Sequence, residues 1–252
     1  MSKPIVLCDT AGMDNDRWLE CRMHGPKGDI PYTVGGSDVA TIFGLSPWTT
    51  PLELWLIKKG RMKPVEKSNP LQLEMGHLLE PIAAHFYEKK SGNIVTDDTL
   101  MYQHADYKYA LADFDRRFKR ASDGEDGILE CKSCSFHKAE DWAEGQFPIY
   151  YELQLRYYLA VADVNIGAFA AVWGNNPDND FAMPTLERDK AKEDIITFAS
   201  VELYKKMQCE LLAVSYPGAQ GDRCILTGSG RTVLRTYVDI IAYKTSNNGV
   251  QV

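Results

Sequence analysis

The spacing of the apolar residues changes twice along this chain, and that change limits what it can fold into. Up to Lys90 they recur at helical intervals. From Asn93 to Lys132 they fall in short runs, and after Lys138 helical spacing returns. Helices on either side of a strand-rich middle bury their apolar faces together by stacking on a central sheet. The pattern therefore predicts one α/β (α+β) domain, a mixed β-sheet flanked by helices. A chain of 252 residues hides roughly 70–75% of its unfolded surface on folding, enough for a core without disulfides or a structural metal.

The element boundaries follow from local chemistry. Gly35-Gly36-Ser37-Asp38 reads as a turn feeding a short helix, with Ser37 as N-cap and Gly44 as stop. Thr50-Pro51-Leu52-Glu53 starts a second helix through Trp55 and Ile57 to Gly60. A longer one runs from about Leu71 to Lys90, with Leu79, Ile82, Ala83 and Phe86 on one face and Gly92 ending it. Asn93–Thr96, Thr99–Gln103, Tyr109–Phe114 and Gly127–Lys132 read as a meander of strands. Helical signal at 138–144 and 148–161 precedes an apolar strand over 166–173, which residues 180–186 could pair with, and 189–214 reads as a long helix. A single domain is expected over 1–217, with its core at about 18–214. Residues 218–252 form an extension, including the strand-like run 232–244, to which the pattern assigns no structure.

No apolar run approaches the ~20 residues of a membrane helix, and the first residues do not read as a signal peptide. No membrane association and a cytoplasmic location are the expectation. The net charge of −7 disfavours a protein that coats nucleic acid nonspecifically, but not an enzyme whose site is itself a carboxylate cluster. Six cysteines are scattered; Cys131-x-x-Cys134 lacks the second close pair of a four-cysteine metal site. Among the basic runs, Lys58-Lys59-Gly-Arg61 reads as solvated surface, and Arg116-Arg117 with Lys119-Arg120 falls between two acidic candidates.

Those candidates centre on Gly127-Ile-Leu-Glu-Cys-Lys132. Alternation in a strand puts Glu130 and Lys132 on one side, about 6–7 Å apart, with Ile128, while Leu129 and Cys131 face the other. A carboxylate and an amine projecting from an apolar strand are costly to bury unpaired. A lone Glu-x-Lys is usually a strand end at the surface, so its company decides. Asp115 closes the preceding strand, and a meander would bring it beside Glu130. Glu80 lies on the long helix, and Gln154 shares a helix face with Tyr151 and Tyr158. Oxygen ligands suit Mg²⁺, and a neighbouring lysine can orient or deprotonate a water for phosphodiester hydrolysis. His77, His85, His104 and His137 lack zinc spacing, and Ser133 and Ser135 have no base nearby. Trp48, Trp55, Phe86 and Tyr87 read as core rather than as a base-stacking platform.

The ordered set Glu80, Asp115, Glu130-x-Lys132, Gln154 resembles the PD-(D/E)xK nuclease superfamily. More narrowly, the chain resembles the YqaJ-like viral recombinase family that includes phage lambda exonuclease. The likeness spans about residues 18–165, through Trp18-Leu-Glu-Cys-Arg22, Gly35 to Trp48, Pro51-Leu-Glu-Leu-Trp55 and Gly76-His-Leu-Leu-Glu-Pro81. It implies a restriction-endonuclease-like core. Glu80, Asp115, Glu130 and the Cys131 carbonyl would hold Mg²⁺, two ions with Mn²⁺ as substitute. Lys132 would serve the attacking water, Gln154 would support the site, and Arg22 with Ser37 would bind a 5′-phosphate. The implied activity is a 5′-to-3′ exonuclease on linear duplex DNA ends in phage-type homologous recombination. A homotrimer and a single-strand annealing protein are the implied assembly and partner. The alternatives are a structure-specific or single-strand endonuclease of the same superfamily, and a catalytically silent module binding DNA ends or protein. The segment His24–Thr33 lengthens the connection between the Arg22 and Ser37 blocks. Asp123 and Asp126 fall between Asp115 and Glu130, and either replaces Asp115 in another register; Asp-Gly-Glu-Asp-Gly reads better as a hairpin turn.

Overall fold

The structure is a computed structural model that describes residues 3–63, 70–208, 214–215 and 225–226. Its centre is β6 (Asp126–Ser133), which joins β7 (Ile166–Val172) in parallel, with Glu130 opposite Phe169. The crossover between them is a largely 3₁₀ segment (Phe136–Gly145) and α5 (Ile149–Ala162), a βαβ unit. Every residue of β7 is buried, as expected of a strand covered on both faces. One cover is α4 (Pro70–Ser91), whose Ala83, Ala84 and Tyr87 pack with Leu129, Cys131, Ala168 and Ala170. The other is α5, whose Leu153, Leu155 and Leu159 pack with Ile128, Phe169 and Ala171. The predicted alternation of β6 is therefore met, with its two faces feeding two separate cores.

The sheet continues from β6 to β5 (Arg116–Lys119) and β2 (Ile94–Asp97), both antiparallel. On the far side of β7 lie β8 (Phe181–Ala182) and β9 (Thr185–Glu187). The mixed sheet between helices is as the sequence predicts; its wiring is not. Tyr109–Phe114 does not pair with the Glu130 strand. Only β4 (Leu111–Ala112) forms there, and it joins β3 (Leu100–Gln103) and β1 (Ile5–Asp9) in a separate three-stranded sheet. The neighbour of β6 is the basic run itself, β5.

Helices α2 (Gly36–Ile42) and α3 (Pro51–Lys58) pack around α5. In α3 the Thr50 hydroxyl and the Glu53 carboxylate cap each other's backbone N–H, at 3.3 and 2.7 Å. The α2 cap differs from expectation. Gly35 is the N-cap, and Ser37 is the second helical residue. Glycine stands at 35 and 36 because neighbours take the side-chain space. A Cβ on Gly35 would meet Arg22 Nη2 at 2.8 Å, and one on Gly36 would meet the Tyr158 ring at 2.4 Å. Two further expectations are corrected. On α4, Ile82 faces out, and the buried stripe runs through Ala83, Ala84 and Tyr87. Lys58 is not solvated surface but 4% exposed, paired at 2.8 Å with Asp38. Helix α1 (Asn15–His24) and strand β1 carry no strong sequence signal. Helix α6 spans Lys190–Gln208, and two short strands, β10 (Val214–Ser215) and β11 (Ile225–Leu226), pair with each other. The run 232–244 lies outside the described residues. Among the described residues no helix is long and apolar enough to cross a membrane.

Candidate active site

The carboxylates meet where β5 and β6 begin to pair. The register sets Arg116 opposite Leu129, so one step further Asp115 faces Glu130. Asp115 Oδ2 accepts the Cys131 N–H at 2.7 Å, which ties the end of β5 to β6. Asp115 thus precedes the strand that pairs with β6 rather than closing an earlier one. Asp123 and Asp126 lie away from this end. Asp123 accepts from Arg120 in a turn where Gly124 has φ +75°, and Asp126 pairs with Lys119 at 2.6 Å. The hairpin reading of that segment is met.

Glu130 is 1% exposed and points toward α5. Its Oε2 accepts Lys132 Nζ at 2.6 Å and Gln154 Nε2 at 3.1 Å, and Gln154 Nε2 also reaches the Tyr158 hydroxyl at 3.2 Å. Lys132 Nζ stands 5.0 Å above the Tyr151 ring. The helix face Tyr151, Gln154, Tyr158 is therefore directed at the Glu-x-Lys strand, as its spacing predicts. From α4, Glu80 Oε1 receives Arg116 Nη1 at 2.6 Å, and Arg116 Nε meets Asp97 at 2.7 Å. The second basic run is not a free basic surface: Arg117 pairs with Asp98, Lys119 with Asp126, and Arg120 with Asp123 and Glu125.

Crowding shows in the titration of these groups. Burial, then the charge of Asp115, pushes Glu130 up against the pull of Lys132. Glu80 moves up for the same two reasons, opposed by Arg116. Burial alone would lower Lys132, but Glu130 and Asp115 outweigh it and hold the ammonium. Burial pushes the Cys131 and Cys134 thiols up, Cys134 to about 11. Neither is a ready thiolate, and Cys131 packs into the α4 core as a spacer.

The donor set, three carboxylates and an amide, is hard oxygen chemistry of the kind Mg²⁺ takes. Glu130 Oε1 is buried without a hydrogen-bond partner, which a buried carboxylate oxygen tolerates poorly unless a cation or water meets it. The other two carboxylates are engaged by Arg116 and by the Cys131 N–H. Among the described residues no three His, Cys, Asp or Glu side chains converge closely enough to hold an ion as they stand.

A second polar cluster forms at the start of α2. Arg22 Nη2 donates to Ser37 Oγ at 2.5 Å, and its guanidinium lies 5.0 Å from the Trp18 ring. The longer connection between them folds back, with the Thr33 hydroxyl donating to the Arg22 carbonyl, so the two blocks still meet. Two acids missed in the sequence hold this cluster. Asp113 lies beside Arg22; burial raises its carboxyl and Arg22 opposes. Asp38 Oδ2 accepts the Gly35 N–H at 2.8 Å and the Lys58 ammonium. Asp113, two residues before Asp115, shares its alternation, which was the available signal. The aromatic expectation is half met: Trp55 and Tyr87 are buried, but Trp48 is 66% exposed.

Comparison with known proteins shows the family and the fold. Residues 17–165 match the YqaJ-like viral recombinase domain. The uncharacterized protein YqaJ of Bacillus subtilis (strain 168) is 35% identical over 201 residues; the match covers 79% of this chain and 58% of that protein. The chain thus spans less than two thirds of that relative's length. Among solved structures, an alkaline exonuclease from Laribacter hongkongensis superposes with a TM-score of 0.62 at 17% identity, covering 77% of this chain and 93% of that one. The same exonuclease in complex with dAMP gives 0.63 at 18%, with the same coverage. A phage-related exonuclease from Haemophilus somnus 129PT gives 0.50 at 14%, covering 70% and 95%. The fold is that of these exonucleases, a restriction-endonuclease-like core, and the chain belongs to the YqaJ-like viral recombinase domain family.

Proposed function

We propose that this chain is a Mg²⁺-dependent deoxyribonuclease, a 5′-to-3′ exonuclease acting on linear duplex DNA in recombination. The observation that carries the reading is the gathering of Glu80, Asp115, Glu130, Lys132 and Gln154, from three elements and the residue just before β5, at one end of the β5–β6 pair. The fold shared with an alkaline exonuclease, seen both alone and with dAMP, supports it. Mg²⁺ held by Glu80, Asp115 and Glu130 would supply the positive charge that polarises the scissile phosphate; Glu80 would give up Arg116 to join it.

The protein's own groups divide the remaining work. Gln154 and Lys132 fix one oxygen of Glu130 and leave the other free. The Lys132 ammonium donates to the attacking water or a phosphate oxygen, and its position over Tyr151 keeps it pointed there. Water oxygen bonds to phosphorus as the bond to the leaving 3′-oxygen breaks; the water gives up one proton to solvent and the leaving oxygen takes one up, so protons balance. Arg22 and Ser37, at a helix start, receive the terminal 5′-phosphate, which sets the polarity. A homotrimer and a single-strand annealing partner belong to the same proposal.

The test presents linear, nicked and closed circular duplex to the purified protein with Mg²⁺, with and without a 5′-phosphate. Shortening of the linear form alone, faster with the 5′-phosphate, is expected. Cutting of closed circles would indicate an endonuclease. Binding without cleavage of any form would indicate a silent DNA-end module.

A further inference from the structure

We propose that Trp48 is a stacking platform for an unpaired nucleobase of the DNA strand entering the site, an inference that rests on the nuclease reading above. Trp48 lies in the short connection between the end of α2, where Gly44 takes φ +70°, and the Thr50 cap of α3. Its backbone N–H donates to Ser46 Oγ at 3.3 Å. Both ends of the connection are thus anchored by helices. The indole is 66% exposed, while Trp55 and Trp142 are 5% and 3%. An exposed aromatic of this size in a loop that short is not core.

Its neighbours give it a direction. The Trp48 ring packs edge-on against Tyr150, with centroids 5.0 Å apart at 79°, and lies 6.4 Å from Tyr151. Tyr151 is the ring beneath Lys132 Nζ at 5.0 Å. An aromatic surface therefore runs without a break from the Glu130–Lys132 pair out to the open indole. Taken end to end, the 5.0 Å and 6.4 Å separations reach at most about three stacked base steps at ~3.4 Å each. A strand whose phosphate sits at Lys132 would bring a base of the same strand over Trp48. Every base has a π-face, so such a platform is indifferent to sequence, and one stacked base is worth roughly 5- to 150-fold in affinity. This suits an enzyme that must advance along any sequence. The edge-on tyrosine fixes the indole plane and leaves most of it open.

The test compares wild type, Trp48→Phe and Trp48→Ala, using a 5′-phosphorylated oligothymidylate with Ca²⁺ for binding and linear duplex with Mg²⁺ for cleavage. Binding should quench tryptophan fluorescence in wild type, and the quench should fall sharply in Trp48→Phe while binding is largely kept. Trp48→Ala should raise KM on linear duplex about tenfold with kcat changed much less, and Trp48→Phe should recover most of the loss. An active wild type with equal quenching in Trp48→Phe, and KM in Trp48→Ala within about twofold of wild type, overturns the platform and leaves the nuclease standing. A change in self-association on sedimentation without any change in DNA parameters overturns it in favour of a protein contact. A wild type that neither cleaves nor is quenched overturns the nuclease reading, and the platform with it.

Discussion

Lys132 Nζ lies 2.6 Å from Glu130 Oε2, two residues back on the same strand, with Glu130 buried against α5 and Lys132 half-buried beside it. The pair makes Glu130 one-sided. One oxygen is held by the lysine and by Gln154, and the other is free of protein partners. Each half of the pair therefore has a structural cost and a chemical role, and the two are separable.

Removing Lys132 strands a carboxylate in a dry environment. Lys132→Ala should lower thermal stability by about 3 kcal/mol and cleavage by about 100-fold or more. Adding Glu130→Gln to Lys132→Ala should return much of the stability and none of the activity. A double-mutant cycle in thermal unfolding reads the first, and nucleotide release reads the second. Additive stability losses would mean the two groups are not coupled.

Arg116 competes for Glu80. Arg116→Met should free that carboxylate and tighten Mg²⁺ binding a few-fold by calorimetry, while destabilising the fold by about 1–3 kcal/mol through the half-buried Glu80 it leaves unpaired. Unchanged or weaker Mg²⁺ binding would exclude Glu80 from the ion's ligands.

The Asp38–Lys58 pair predicts a pH effect away from the chemistry. Burial alone would raise the Asp38 carboxyl, but Lys58, Arg22 and the Gly35 N–H outweigh it and hold it below the ordinary range. A carboxyl held low in the folded state contributes stability that is complete above its unfolded value of ~3.9 and is lost as pH falls through the folded value. Asp38→Asn should therefore be less stable at pH 7, by about 3 kcal/mol. Its deficit against wild type should shrink steadily below about pH 4. A constant difference down to acid pH would contradict the ion pair.

Two glycines should respond with opposite signs. Gly36→Ala places a Cβ 2.4 Å from the Tyr158 ring and should cost about 1–3 kcal/mol. It should also disturb Gln154, which leans on the same phenol. Gly76→Ala, inside α4 with only Ser133 Oγ at 3.5 Å, should stabilise by about 0.5–1 kcal/mol. Urea unfolding of the two variants checks both.

What the sequence made legible was what local spacing controls. The Thr50–Pro51–Glu53 start, the α4 stop at Gly92, the faces of β6 and the aim of Gln154 all depend on neighbours a few residues away. What it hid depended on distant partners. β5 reads Arg-Arg-Phe-Lys and gives no strand signal by alternation, and the acids that neutralise it come from α4, the stretch after β2 and β6. Helix α1 buries only Cys21 and has no apolar stripe to announce it. β1 is paired along one edge and its residues are half-buried or exposed, so strand alternation is faint. Trp48 was misjudged because helical spacing was carried across a connection in which no helix runs. For the site, the order of acids along the chain was readable, and so was the hairpin that sets Asp123 and Asp126 apart from Asp115; the register that puts Asp115, rather than either of them, opposite Glu130 was not.

That choice gives the most direct test of the account. Mononucleotide release from 5′-phosphorylated linear duplex in Mg²⁺ would be measured for wild type, Asp115→Asn, Asp123→Asn and Asp126→Asn, each first checked for folding. Asp115→Asn should lose about 100-fold or more, and the other two should stay within about threefold of wild type, since surface ion pairs of their kind contribute little. Loss of release in Asp123→Asn or Asp126→Asn with Asp115→Asn still active, or a folded wild type that releases nothing, would contradict the site as drawn.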